Sequence, residues 1–171
     1  MYASLGRRLF EAQDTQAAVK FIAELKIKLR DRIPSIEEVR ALFPSIIFTD
    51  NQTKQRNLMR YILARFQACS TTAVTIDFEG MTIEHLVPQS QIGSTGFPEE
   101  IIGQVGNLLL IPPSLNGKLA NKTWKEKKKL LANANVTIPT EFQDNDEILV
   151  KDIKTRTGNL ADTAYKNVWK I

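Results

Sequence analysis

The chain of 171 residues contains one histidine, His85, in the run Thr82-Ile83-Glu84-His85-Leu86-Val87-Pro88-Gln89. Imidazole is the side chain whose unperturbed pKa, about 6.5, lets it be neutral and accept a proton at working pH. Taken alone, a single histidine is commonly a hydrogen-bonded structural residue. This one is preceded by a carboxylate, Glu84, and followed by Pro88, which breaks the extended run, and by a polar loop. Glu84 and the amide carbonyl of Asn116 are hard oxygen donors suited to one Mg²⁺ or Mn²⁺ ion. Magnesium takes about one or two protein carboxylates and fills its other positions with water and substrate phosphate, so two protein ligands suffice. Between Lys118 and Lys129 lie six lysines (Lys118, Lys122, Lys125, Lys127, Lys128 and Lys129) against one acid, Glu126. In isolation such a run is a solvated helix face. Next to a histidine and two oxygen donors it is expected to be a stripe that contacts phosphates without reading bases. A base for water, a hard cation and charge stabilisation on a leaving oxygen are the requirements of phosphodiester hydrolysis.

These residues are far apart in sequence, so the elements between them must bring them together. Ala18, Phe21, Ile22, Leu25 and Leu29 form a helical stripe that Pro34 ends. Ser35 and Glu38 are a capping box for a short helix carrying Val39, Leu42 and Phe43. Leu58, Ile62, Phe66 and Cys69 mark a third helix, with Cys69 expected as a buried small hydrophobe. Residues 72–78 (TAVTIDF) then switch to a β-branched pattern, Glu79-Gly80 supplies a turn, and Met81-Thr82-Ile83 resumes an extended run, which suggests a hairpin. Strand alternation sends Glu84 and His85 to opposite faces, so a shared site requires the backbone to twist or leave the sheet there. Residues 89–104 are loop-like. Asn107-Leu-Leu-Leu-Ile111 is a compact strand stopped by Pro112-Pro113, and Ser114 to Ala120 is a short helix. Thr123 and Glu126 cap a helix running through Leu131, and Ile153 to Val168 form a closing helical stripe. Trp124 and Trp169 are expected as core anchors. The expected class is α+β, dominated by helix.

The pattern EHxxPQ, then Asn107, then Asn116 nine residues later with Lys118 two beyond, resembles the HNH or ββα-metal nuclease finger. The IEHLVPQ motif, the block VGNLLLIPPSLNGKLANKTWKEKK and the segment IKTRTGNLADTAYKNVW are similar to the C-terminal nuclease domain of GmrSD-type modification-dependent restriction proteins. The resemblance spans roughly residues 15–170. It implies one nuclease domain over 1–171: a helical scaffold (1–70), a ββα-metal core (72–131) and a closing helix (146–170), as part of a larger protein. It implies catalytic roles for His85, Asn107 and Asn116, with Asn107 bracing the histidine's loop and helping to orient its ring, and metal ligation by Glu84 and Asn116. The third motif residue is asparagine and not histidine, which favours a hard cation over zinc. The implied partners are DNA and an NTP-binding sensor region, N-terminal or on a partner subunit, within an antiphage restriction system. Duplex cleavage needs two sites or two visits, and a homodimer is one way to supply them.

Composition is compatible with this reading. The charged fraction of 25% and hydrophobic fraction of 43% are ordinary globular values, and the net charge of +4 permits a nucleic-acid partner without requiring one. One cysteine excludes an intrachain disulfide framework and the paired zinc-knuckle cysteines of other HNH proteins, so no structural zinc is expected. No apolar run approaches a membrane span and no secretory leader is evident, so a cytoplasmic location without a membrane partner is expected. Two other readings use the same residues: a non-catalytic nucleic-acid-binding or partner-docking module, and an RNase.

Overall fold

The computed structural model describes residues 2–70, 80–93 and 96–169. Eight helices are described: α1 (Tyr2–Phe10), α2 (Thr15–Arg30), α3 (Ile36–Leu42), α4 (Arg56–Ser70), α5 (Glu99–Ile102), α6 (Pro113–Leu119), α7 (Trp124–Asn133) and α8 (Val150–Thr163). Two strands, β1 (Thr82–His85) and β2 (Leu108–Ile111), pair antiparallel in the register Thr82–Ile111, Ile83–Leu110, Glu84–Leu109 and His85–Leu108. The architecture is mostly helical α+β. The expected run at 72–78 and Glu79 of its turn lie outside the described residues; β1 takes its described partner from β2, 23 residues further on.

Local chemistry explains the helix starts. Asp14 caps α2 by accepting from Ala17 N at 2.7 Å. Ser35 and Glu38 make the reciprocal capping box of α3, at 3.1 and 2.7 Å. At α7, Glu126 reaches back to the backbone N–H and the hydroxyl of Thr123. Pro113 sits in the first turn of α6, where its missing N–H costs nothing.

The small sheet divides two apolar cores, and the period of β2 shows how. Leu108 and Leu110 join Phe43, Phe48, Met59, Ile62, Leu63 and Ala161 on one side. Leu109 and Ile111 join Leu86, Ile102, Leu119, Leu131, Phe142 and Ile153 on the other. Strand residues buried on both faces produce the unbroken apolar run LLLI. Each fully buried Leu or Ile contributes about 1.5–3 kcal/mol, so both faces hold β2 firmly.

Two expectations are corrected. The buried face of α4 is Met59, Ile62 and Leu63, whereas Leu58 is 44% exposed and Cys69 is exposed. The stripe through 58, 62, 66 and 69 therefore lies at the edge of the buried face. Residues 89–104 are less loop-like than their Gly and Pro content suggests. They contain α5, and Phe97, Ile101 and Ile102 are core residues. Trp124 is buried as expected, with its indole N–H donating to Asn145 O at 3.0 Å, while Trp169 is half-buried against Tyr61 and Phe66. Helix α2 buries none of its residues; it packs against α1, where the Arg8 guanidinium lies over the Phe21 ring, and Ile22 of its stripe is exposed. No described helix is long and apolar enough to cross a membrane.

Candidate active site

β1 pairs with β2 along one edge. A cavity of about 500 Å³ is bordered by all four β1 residues, Thr82 to His85. Asn116, within α6, and Ala120 and Asn121, just beyond its end, form a second wall. Phe48, Asp50, Thr53 and Arg56, at and before the start of α4, form a third. Glu84 and His85 do alternate, as the strand geometry demands. His85 goes to the side of Phe48, and Glu84 goes to the side of α7. Both still border one cavity. No twist out of the sheet is needed.

His85 is 7% exposed, and its Nε2 lies 2.9 Å from Phe48 O. A carbonyl only accepts, so Nε2 carries the proton and Nδ1 keeps the lone pair. Burial lowers the imidazole pKa first; the Phe48 carbonyl and the Asp50 charge oppose that, and the Lys127 charge adds to it, for a net lowering. The ring is therefore neutral, in a single tautomer, with Nδ1 able to take a proton. Phe48 is itself fixed. Its N–H donates to Gly103 O at 2.9 Å, Ile47 forms an isolated bridge with Gln104, and Thr49 Oγ1 donates to Glu99 Oε1 at 2.6 Å. The Phe48 ring stacks beside the imidazole, with centroids 5.9 Å apart.

Glu84 is 5% exposed and Lys127 is 0% exposed. Lys127 Nζ donates to Glu84 Oε1 and to His85 O, both at 2.6 Å. Desolvation acts on both partners, raising the carboxyl and lowering the ammonium, while their contact opposes each shift. Removing water from two charges costs several kcal/mol each, which close pairing must offset.

Asn107 is fully buried, and its amide is fully engaged. Oδ1 accepts from Val87 N at 2.8 Å; Nδ2 donates to Val87 O at 3.0 Å and Ile102 O at 2.9 Å. Its own carbonyl accepts from Leu86 N at 2.9 Å. It thus braces the loop after the histidine. The hydrogen bond that orients the ring comes from Phe48 and not from Asn107. Asn107→Ala leaves three buried main-chain groups without partners at about 1–3 kcal/mol each, so urea unfolding is expected to show a loss of at least about 3 kcal/mol. Asn107→Asp places a second oxygen against the carbonyls of Val87 and Ile102 and is expected to be worse than alanine.

The lysine run divides by environment. Lys118, Lys122 and Lys129 are exposed. Lys125 pairs with Asp146 at 2.8 Å, and Lys128 donates to the carbonyls of Gln143 and Asn145. Lys127 is a correction to the expected stripe: it faces inward from α7 with Trp124 and Leu131 and has no surface on which to meet a phosphate. A run of charges conceals this, because helical period alone does not say which lysine falls on the buried face.

Phe48, Asp50 and Arg56 were not foreseen. The Phe48 contact uses a main-chain carbonyl, which has no residue signature. Asp50 and Arg56 stand in a polar stretch that resembles any other surface turn. At the other wall Ala120 has φ 37°, where a side chain is rarely accommodated, and the chain turns sharply there as it leaves the helix of Asn116. Among the described residues no three His, Cys, Asp or Glu side chains come together as a metal site. The oxygen donors around the cavity include Glu84, Asp50 and the Asn116 amide, with Thr53, Thr82, Gln89, Ser90 and Asn121 beside them, a hard set in keeping with a hydrated cation.

A family model, GmrSD restriction endonucleases, C-terminal domain, matches residues 34–163. No curated protein and no solved structure matches the chain. The matched span begins after α2 and includes every residue discussed at the cavity.

Proposed function

We propose that this chain, which belongs to the GmrSD restriction endonuclease C-terminal domain family and is accordingly a nuclease domain acting on DNA, cleaves the backbone as an HNH-type, divalent-metal-dependent endonuclease. The observation that carries this reading is the tautomer lock at His85. A neutral imidazole whose Nε2–H is held by Phe48 O has Nδ1 free to take a proton from water.

The donors around the cavity fit a hard divalent cation. Glu84 and Asn116 would hold it, as one Mg²⁺ or Mn²⁺ per site. When bound, such a cation supplies Lewis-acid stabilisation of the scissile phosphate and the departing oxygen. His85 removes the proton from the attacking water. Asn107 keeps the loop after His85 from shifting, and Asn116 completes the polar wall opposite β1. Arg56, across the cavity from the α6 wall, offers a cation to a flanking phosphate.

Phosphate contacts come from the lysines that are free at the surface. Lys118→Ala and Lys122→Ala are each expected to reduce the salt slope of DNA binding by about 0.9. Lys125 and Lys128 already have protein partners, and their replacement is expected to change that slope less. Fluorescence titrations across a salt series check both statements.

Supercoiled plasmid with Mg²⁺ or Mn²⁺ tests the activity: conversion to open circle supports the reading, and EDTA should abolish it. Salt-sensitive binding with no cutting would instead favour a binding or docking module, and preferential loss of RNA would favour an RNase. One site cuts one strand, so linear product requires two visits or two copies. In the cell we place this domain as the effector of an antiphage restriction system in the cytoplasm, paired with an NTP-binding sensor region that controls it.

A further inference from the structure

We propose that Lys127 is a positioning residue of this site: its buried ammonium holds one oxygen of Glu84 and the main-chain carbonyl of His85, so that the other Glu84 oxygen is kept for a divalent cation. This rests on the reading of Glu84 as a cation ligand.

Three observations support it. Lys127 is the fully buried member of a lysine run whose other members are exposed or half-buried. A lysine is buried only where a counter-charge and acceptors meet it. Both acceptors belong to the consecutive residues that the proposed chemistry uses, each at 2.6 Å. The ammonium is also carried on a rigid support. Trp124 and Leu131 anchor the same face of α7 in the core, and Glu126 caps its first turn. A carboxylate on a four-residue strand has several rotamers available. With Oε1 fixed from behind by a helix, it has far fewer, while it still borders the cavity. Groups that orient a metal ligand from outside the coordination shell commonly change metal affinity or activity about 10–100-fold when removed.

The test is Lys127→Met in the full chain. Mn²⁺ binding followed by electron paramagnetic resonance should weaken about 10–100-fold. The kcat of plasmid nicking should fall to a similar degree, with KM within about twofold, because a group that touches no DNA changes chemistry and not binding. The salt slope of DNA binding, measured in EDTA, should not change. Unchanged Mn²⁺ affinity and kcat would overturn the proposal, as would a salt slope reduced by about 0.9, the mark of a phosphate contact. Should the variant fail to fold, amine acylation of the native protein decides. Lys127 should be spared while Lys118, Lys122 and Lys129 react; equal labelling of Lys127 would overturn the proposal. Glu84→Gln separates the two levels of inference. If it leaves Mn²⁺ affinity unchanged, the ligand reading of Glu84 fails. If it weakens Mn²⁺ binding while Lys127→Met does not, only the role of Lys127 fails.

Discussion

His85→Ala is expected to lower plasmid nicking by about 10²–10⁴-fold, the usual contribution of a positioned general base, while leaving DNA affinity within a factor of about two. The small effect on binding follows from geometry: His85 lines the cavity but is only 7% exposed, and its ring hydrogen bond goes to Phe48 O. The fold is expected to survive, since the sheet register and the brace from Asn107 involve the main chain and not the imidazole. The native protein should also show a characteristic acid limb. Burial places the folded-state pKa of His85 below its ordinary value of 6.5. Protonation removes the Nδ1 lone pair, so activity is lost as pH falls, and the loss should begin below 6.5 and not at it. For stability, the unfolded chain binds more protons than the folded one in that window, so the neutral ring's contribution is present above 6.5 and declines as pH falls through the lowered value. Rates of nicking from pH 5 to 8, for native protein and variant, check the first statement. A variant that still cuts at the native rate would rule out His85 as the base.

The second large effect is on stability. Gly106→Ala would place a Cβ 2.3 Å from Ile153 O, 2.4 Å from Thr157 Oγ1 and 2.9 Å from Thr157 N. Two of those three atoms are backbone within α8, so no rotamer change relieves the contact. α8 lies this close because it holds the segment before β2. Arg156 Nη1 donates to Gly106 O at 2.7 Å and Leu108 O at 3.3 Å, and Thr157 Oγ1 donates to Gln104 Oε1 at 3.1 Å. Pushing α8 away therefore loosens Asn107 and, through it, the loop after His85. The expected cost is about 3 kcal/mol or more, which for a domain of this size lowers Tm by roughly 6–12 °C. Gly158→Ala is the control. It lies in the exposed part of the same helix with nothing near its added methyl, and it should stabilise by about 1 kcal/mol, the helix-propensity gain over glycine. Thermal unfolding of both variants measures the pair. Equal Tm for Gly106→Ala and the native chain would show that α8 is not seated there.

Much of this was legible along the chain, and the reasons are local. Capping boxes at Ser35 and Thr123, the proline stop after Ile111 and the apolar run LLLI specify where elements start and end, because each depends on residues within a few positions of one another. The elements carrying Glu84, His85, Asn107 and Asn116 were readable in the same way. Other features were settled only by packing between distant segments. Lys127 and Lys128 are adjacent and alike in type, yet one lies against Glu84 and the other against main-chain carbonyls near the surface, and only the seat of α7 on β1 distinguishes them. Cys69 faces outward because the core contacts α4 one position away from the stripe its apolar residues suggest. The ring of His85 is oriented by the carbonyl of Phe48, 37 residues earlier, a group that every residue possesses and no pattern can single out. Sequence by itself determined the chemistry available and the elements bearing it, since residue type and short-range spacing suffice for both. The tertiary structure decided which lysine is buried, which nitrogen of His85 is free and that Glu84 and His85 border one cavity. Those depend on long-range contacts, whose geometry no local run of residues contains.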